Sequence, residues 1–348
     1  MKLQKLHIKN FKSIVDLEIV EPNPFTVFVG PNGSGKSNIF EALEFINIGN
    51  RSSYWESSVS LFGGEENFLN RTTNTTFSAY LDFQNYKVIT DKLPFRSGEK
   101  KYDAYSTFFF EKDNLPQIKN TEEYLEKSVD IRYMNENSFE QFFYWYSHIF
   151  ISQKSRQKFN YLGEYSLSFS ADNLEKVLKR ILQDEIKREE IREWLDLFIP
   201  GFLDIKINSS EYTSGKEELL IWEKGTEKPF PKDLLSDGTY NILALLTAVY
   251  QSDEPQFLCI EEPENGLNPY VIRKLVDFFR AACEEKGHYI WLNTHSNALV
   301  ECLTPEEVIV VDKIGGETKI KQLKGMDLHG LNMAEVWLSG ALGGGTPW

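Results

Sequence analysis

Cysteine is scarce in this 348-residue chain: Cys259, Cys283 and Cys302 stand at no paired spacing. That pattern excludes a disulfide framework and predicts reduced core thiols in a cytoplasmic protein. Histidine is also sparse, at five residues, and no Cys/His cluster points to zinc. No apolar run approaches the ~20 residues of a membrane span. The start, Met1-Lys2-Leu3-Gln4-Lys5, carries no apolar signal region, so no membrane association is expected. Repeats, low-complexity linkers and sustained a/d heptads are missing, which excludes a long coiled coil. Positive charge is in deficit, with 38 Lys and Arg against 52 Asp and Glu and a net charge of −14. Phosphate contacts need clustered cations, so broad, unaided DNA binding is disfavoured, while a local basic groove stays open.

What is present is a glycine loop of defined spacing. Gly30-Pro31-Asn32-Gly33-Ser34-Gly35-Lys36-Ser37 fits the phosphate-loop pattern G-x-x-x-x-G-K-[ST] at every fixed position. The run Phe25–Val29 before it reads as a buried strand. Ile39, Phe40, Leu43 and Ile46 after it recur at helical spacing. In that setting the backbone N–H groups of Asn32, Gly33, Ser34 and Gly35, together with Lys36, Ser37 and Asn38 at the helix start, would cradle the phosphates of ATP or GTP. Lys36 would neutralise phosphate charge, and the Ser37 hydroxyl would hold Mg²⁺.

Strand-like and helical stretches are segregated along the chain. Leu3 to Ile19 reads as two strands joined near Asn10–Ser13. Phe77–Phe83, Tyr86–Thr90 and Tyr102–Phe110 read as an antiparallel set, and Ser52–Asn74 as a surface loop. From about Thr121 to Phe198 the pattern is helical. Leu174, Val177, Leu178, Ile181 and Leu182 form one stripe; Ile191, Trp194, Leu195 and Phe198 form another. The expected organisation is an α/β nucleotide-binding lobe, 1–115 and 201–348, with an antiparallel β subdomain, and a helical second lobe, 116–200.

The second half carries the partners a phosphate loop requires. Phe257–Ile260 is an apolar strand that ends in Glu261 and Glu262. The first carboxylate would bind the Mg²⁺ shell, and the second would orient or deprotonate the attacking water. Glutamate at the first position, where aspartate is usual, reaches one methylene further. Leu235–Thr239 opens a helix over Tyr240–Tyr250. There Ser236 and Gly238 form either an anion site or a plain N-cap. His295 follows the apolar strand that ends at Leu292; a turn residue and a functional one are both open readings.

In chain order these signals resemble the ABC-class ATPases. The opening Ile8-Lys9-Asn10-Phe11-Lys12-Ser13-Ile14 is similar to the start of the SMC, Rad50, RecF and OLD branch. Ile260-Glu261-Glu262-Pro263-Glu264-Asn265-Gly266-Leu267 most resembles OLD-type and stand-alone AAA-type ATPases of bacteria. The resemblance implies a P-loop ABC-type head, ATP and Mg²⁺ as cofactors, and a homodimer closed around two ATPs, with higher oligomers open. Ser236 and Gly238 of one subunit would meet the γ-phosphate held by Lys36 of the other. His295 would sense that phosphate, and Asn265 would lie at the seam. The signature departs from Leu-Ser-Gly-Gly-Gln at Asp237 and Thr239.

Spacing narrows the branch. The 200 residues from Lys36 to Ser236 exceed the insert of transporter subunits and hold no long arms. OLD nucleases continue into a toprim domain, whereas roughly 50 residues follow His295 here. The expected role is therefore an ATP-driven switch that controls a separate effector, a nuclease or toxin, as in two-gene anti-phage modules. The rival readings are a RecF-like ATPase that binds DNA when dimerised, and a nucleotide-locked scaffold with slow turnover. Three features stay ambiguous: the aromatic run Phe142–Tyr146, as core or partner patch; Lys154, Arg156 and Lys158 beside Gln153, which could contact Mg²⁺; and the glycine-rich tail ending at Trp348.

Overall fold

Alternating and continuous apolar runs build two different kinds of sheet in the computed structural model. It describes residues 2–51, 59–73, 75–84, 86–97, 100–111, 146–151, 165–209, 217–340 and 342–343. The chain divides into two compact units, Met1–Tyr146 with Leu303–Trp348, and Ser147–Cys302.

In the first unit, β1 (Leu3–Phe11) turns into β2 (Ile14–Val20), as the alternation predicts. β1 also pairs antiparallel with β4 (Ser78–Phe83), followed by β5 (Tyr86–Ser97) and β6 (Lys100–Glu111) in the order β2-β1-β4-β5-β6. The expected antiparallel set is present, and its long hairpin extends to the pair Ser97↔Lys100. β3 (Phe25–Val29) is buried at all five positions, as a continuous apolar run predicts. It lies parallel to β13 (Val308–Ile314), which pairs antiparallel with β14 (Glu317–Gln322). Helix α1 (Lys36–Arg51) follows β3 directly.

The surface-loop reading of Ser52–Asn74 needs correction, although 52–58 and 74 lie outside the described residues. Phe62 and Phe68 are buried, and Glu65–Phe68 forms a short helix, α2. Their rings join Phe11, Phe45, Phe77 and Tyr105 in one cluster, with Phe45 and Phe68 centroids 4.7 Å apart. Two buried phenylalanines contribute about 3–6 kcal/mol of apolar transfer energy, enough to draw a polar-rich segment onto the core.

In the second unit, β12 (Tyr289–Thr294), β11 (Phe257–Glu261) and β7 (Tyr146–Ile149, whose last three residues belong here) lie side by side in that order. β11 and β12 are parallel and buried throughout. Around them are α3 (Leu174–Ile181), α4 (Glu185–Phe198), α5 (Asp237–Tyr250), α6 (Pro269–Lys286) and the short α7 (Asn297–Val300). A second sheet orders β10 (Phe230–Pro231), β9 (Glu217–Glu223) and β8 (Phe202–Ser209). In the first unit α8 (Met333–Leu338) is the last described helix.

Both predicted helical stripes face inward, although Leu182, which caps α3, and Trp194 of α4 are only half-buried. The boundary of the expected helical lobe differs from the observed division. Tyr146–Ile149 is a strand with four buried residues, and the units part at Tyr146 and Cys302 rather than at 115 and 200. The cause is aromatic packing across the expected boundary: Trp194 of α4 meets Phe278 of α6 with ring centroids 4.9 Å apart.

Candidate nucleotide site

The phosphate loop is built by the close approach of β3, β13 and β14. A Cβ on Gly30 would lie 2.0 Å from the Val311 carbonyl oxygen, so only glycine lets the chain leave β3 there. Gly35, at φ +103°, leaves the same distance to Thr318 Oγ1. Inside the loop, Lys36 is buried, and its Nζ donates to the carbonyls of Gly30 at 2.8 Å and Pro31 at 3.0 Å. Ser34 Oγ is buried and has no hydrogen-bond partner among the described residues. Asn32 and Gly33 are exposed at the rim, and Ser37 is half-buried in the first turn of α1. A buried cation, an orphaned hydroxyl and the positive end of a sixteen-residue helix form a donor set that fits a polyphosphate.

The loop rests on a hydroxyl relay. Thr318 Oγ1 donates to the Ser34 carbonyl at 2.8 Å, and Asn38 Nδ2 donates to Ser13 Oγ at 2.6 Å. With the Thr318 proton so used, Ser13 Oγ donates to Thr318 Oγ1 at 2.6 Å. Asn38, expected at the phosphates, is thus a brace between α1 and Ser13.

In the second unit, Glu261 ends β11 with its carboxylate buried. Its Oε1 accepts from His148 Nε2 at 2.7 Å. A carboxylate only accepts, so Nε2 carries the proton. The His148 ring stands edge-on to Phe169 at 5.0 Å. Glu262 leaves the strand at φ +48°, a left-handed conformation that non-glycine residues hold only under constraint. Its N–H is shared between the Asn293 carbonyl at 3.0 Å and Asn293 Oδ1 at 3.1 Å, and Asn265 Nδ2 donates to its Oε2 at 3.0 Å.

Two residues on, Glu264 Oε1 accepts from Thr294 Oγ1 at 2.5 Å and from the His295 N–H at 3.3 Å. Burial pushes the Glu264 carboxyl above its ordinary range. Hydrogen bonds from Thr294 and His295 offset this in part, and the Glu262 charge adds to it. The His295 side chain is exposed just past β12.

Helix α5 begins at Asp237, three residues before the expected start, because Ser236 Oγ caps it by accepting from Thr239 N–H at 3.0 Å. Gly238 is buried: a Cβ there would lie 2.4 Å from the Gly266 carbonyl oxygen. Beside Glu262 opens a cavity of about 490 Å³, lined by residues that include Ile151, Lys232, Tyr240, Asn241 and Asn265. Burial would lower the Lys232 ammonium, but Glu175 at 2.5 Å and Tyr240 outweigh it and hold the pKa up.

A family model described as "AAA domain, putative AbiEii toxin, Type IV TA system" matches residues 25–301. The chain belongs to this family of AAA-type ATPase domains. The chain is similar to an ATP/GTP phosphatase of Helicobacter pylori, 21% identical over 94% of each chain. A short stretch, 13% of the chain, is 54% identical to the chromosome partition protein Smc of Methanocaldococcus jannaschii and spans only 4% of that protein. The DNA double-strand break repair Rad50 ATPase of Methanocaldococcus jannaschii is 36% identical over 29% of this chain and 10% of that protein, and the DNA replication and repair protein RecF of Chlamydia caviae is 29% identical over 28% of each. Among solved structures, the SMC head domain from Thermotoga maritima superposes with a TM-score of 0.51 at 15% identity, over 92% of this chain and 99% of that one. The fold is therefore that of a P-loop ATPase head, and no long coiled coil occurs among the described residues. No described helix is long and apolar enough to cross a membrane.

The sequence-expected residues of the AAA domain fall into two groups. Asn32 to Asn38 gather in the first unit; Ser236, Gly238, Glu261, Glu262 and His295 gather in the second. Sequence reasoning missed Thr318, His148, Glu264 and Asn241. Only Glu264 lies inside a sequence motif, Ile260–Leu267; the others have no local spacing that marks them. Gln153, Lys154, Arg156, Lys158, the aromatics 142–145 and Trp348 lie outside the described residues. Tyr146, at the end of that aromatic run, is buried and donates from Oη to the Phe40 carbonyl at 2.8 Å.

Gly35→Ala tests the loop. The added Cβ meets Thr318 Oγ1, and the φ of +103° adds strain of about 1–3 kcal/mol. The expected result is a melting temperature lower by several degrees, with ATP affinity reduced tenfold or more. Wild-type melting and affinity would show that the loop does not need this glycine.

Proposed function

We propose that this AAA domain is an ATP-hydrolysing switch that pairs with a second copy around two nucleotides and controls a separate effector, a nuclease or toxin. The observation that carries the reading is Glu262. Its carboxylate follows a buried strand, and its strained backbone is held by Asn293 and Asn265; this supports reading Glu262 as the group that acts on the attacking water. In this reading Lys36 and the loop N–H groups hold the β- and γ-phosphates. Ser37 and Glu261 would hold Mg²⁺, whose charge offsets that of the phosphates when it is bound. Water oxygen attacks the γ-phosphorus, the bond to the bridging oxygen breaks, and the water proton passes to Glu262 and then to solvent. His295 contributes an exposed imidazole toward the γ-phosphate.

Pairing is proposed on electrostatic grounds. The start of α5, capped by exposed Ser236, has a positive dipole end that would complement a γ-phosphate presented by a second copy. The effector is supported by the toxin–antitoxin wording of the family description, and an OLD-like role in anti-phage defence by the motif order. A DNA-binding reading draws on the partial RecF match, while the net charge of −14 weighs against it.

Mixing Lys36→Ala with Ser236→Arg chains tests composite sites. In mixed dimers one site carries both lesions and the other none, so ATPase activity is expected to reappear above that of either variant alone. A monomer whose turnover per chain is independent of protein concentration would reject pairing. Tight, salt-sensitive, ATP-dependent binding of duplex DNA would favour the RecF-like reading instead.

A further inference from the structure

Asn241, in the second turn of α5, is buried, and both of its amide protons are committed. Nδ2 donates to the Pro263 carbonyl at 2.9 Å and to the Asn265 carbonyl at 2.8 Å. Two carbonyls can only accept, so the amide orientation is forced. The consequence is visible on the other side: Asn241 Oδ1 is buried with no partner among the described residues. A buried acceptor left unsatisfied is rare in folded proteins and calls for a compensating role.

The two carbonyls belong to the turn directly behind Glu262. On its other side that turn is tied to the end of β12 through Glu264 Oε1, which accepts from Thr294 Oγ1 and the His295 N–H. Asn265 N–H and Leu267 N–H close it at 3.2 and 3.0 Å, and Asn265 is the residue whose side chain donates to Glu262 Oε2. One side chain therefore grips the carbonyls of Pro263 and Asn265, the residues on either side of Glu264. Close packing seats the same helix end: the glycine pair Gly238 and Gly266 lets the backbones of α5 and the turn touch.

We propose that Asn241 is a positioning residue that fixes the aim of the Glu262 carboxylate by clamping the turn to α5. This rests on the reading of Glu262 as the base. The residue itself touches neither nucleotide nor water; it acts through the Pro263 and Asn265 carbonyls. A displacement of the α5 start is transmitted to Glu262 by the same two bonds.

The test uses the full chain with Asn241→Asp, which turns both donors into acceptors, and the milder Asn241→Ser, which keeps one donor on a shorter stem. Three results are expected. Turnover falls at least tenfold in Asn241→Asp and less in Asn241→Ser, while KM for ATP stays within about twofold. Native-state hydrogen exchange quickens at amides 263–267 but not in the middle of α6. Asn241→Asp adds no further loss to a Glu262→Gln chain, since a clamp has nothing to aim once the base is gone. Unchanged turnover in both variants, unchanged exchange, or a full extra loss on top of Glu262→Gln would each overturn the proposal. If Glu262→Gln alone keeps wild-type turnover, the base assignment fails. Exchange at 263–267 then decides whether Asn241 holds the turn.

Discussion

Lys36→Ala is expected to abolish measurable ATP binding, and turnover with it. Lys36 lies folded inside the phosphate loop, where its ammonium donates to the Gly30 and Pro31 carbonyls. Those are weak partners for a buried cation, which a phosphate anion would satisfy far better. A charge-assisted hydrogen bond contributes about 1.5–3 kcal/mol. Two such bonds to phosphate oxygens amount to about 3–6 kcal/mol, or roughly 10²- to 10⁴-fold in affinity. No other change in the loop removes so much at once. Folding should survive: removing the ammonium relieves a desolvated charge, and the glycine geometry at Gly30 and Gly35 is untouched. Equilibrium binding of labelled ATP, with a melting curve as control, checks both halves. Affinity within about twofold of wild type in a folded variant would sink the site assignment.

Glu262→Gln is expected to leave ATP binding intact while hydrolysis slows by roughly two orders of magnitude or more, the scale of a lost general base. The replacement is isosteric. Its amide oxygen can still accept from Asn265 Nδ2, and the N–H shared by Asn293 is unaffected, so the strained backbone at φ +48° stays held. What disappears is the capacity to take a proton, a loss of about 2.7 kcal/mol of transition-state stabilisation per hundredfold. The neighbouring glutamate gives the contrast. Glu261 is buried against His148 and is proposed as a metal-side group, so Glu261→Gln should weaken Mg²⁺ dependence before it affects proton transfer. Single-turnover kinetics of both variants at several Mg²⁺ concentrations separate the roles. If Glu261→Gln halted chemistry while Glu262→Gln did not, the two assignments would exchange.

Both predictions rest on residues legible from local pattern, and the reason is physical. A phosphate loop needs glycines, a cation and a hydroxyl within eight consecutive positions, because backbone N–H groups can converge on an anion only over a short turn. A carboxylate pair at the end of an apolar strand is legible for the same reason: a strand buried on both faces must be apolar throughout, so acidic residues mark its end. The antiparallel hairpins were readable from period-two alternation, and α3 and α4 from their stripes. The reading of Ser52–Asn74 failed because composition favours a loop, while burial of Phe62 and Phe68 depends on rings far away in sequence. The two compact units part at other residues than 115 and 200, and the packing of Trp194 on Phe278 carries no mutual signal in the sequence.

By itself, then, the sequence determined where the local motifs lie: the loop, the Glu261–Glu262 strand end and their order along the chain. Each lies within a window where covalent spacing alone constrains position. Tertiary structure decided what holds those groups in place. Ser13 and Thr318 are separated by 305 residues, His148 and Glu261 by 113, and Asn241 and the turn it grips by more than 20. Such pairs are made by strand order and helix packing. A lone threonine, histidine or asparagine has no periodicity to announce its partner. Its role exists only once β14, β7 or α5 has been folded against the motif it supports.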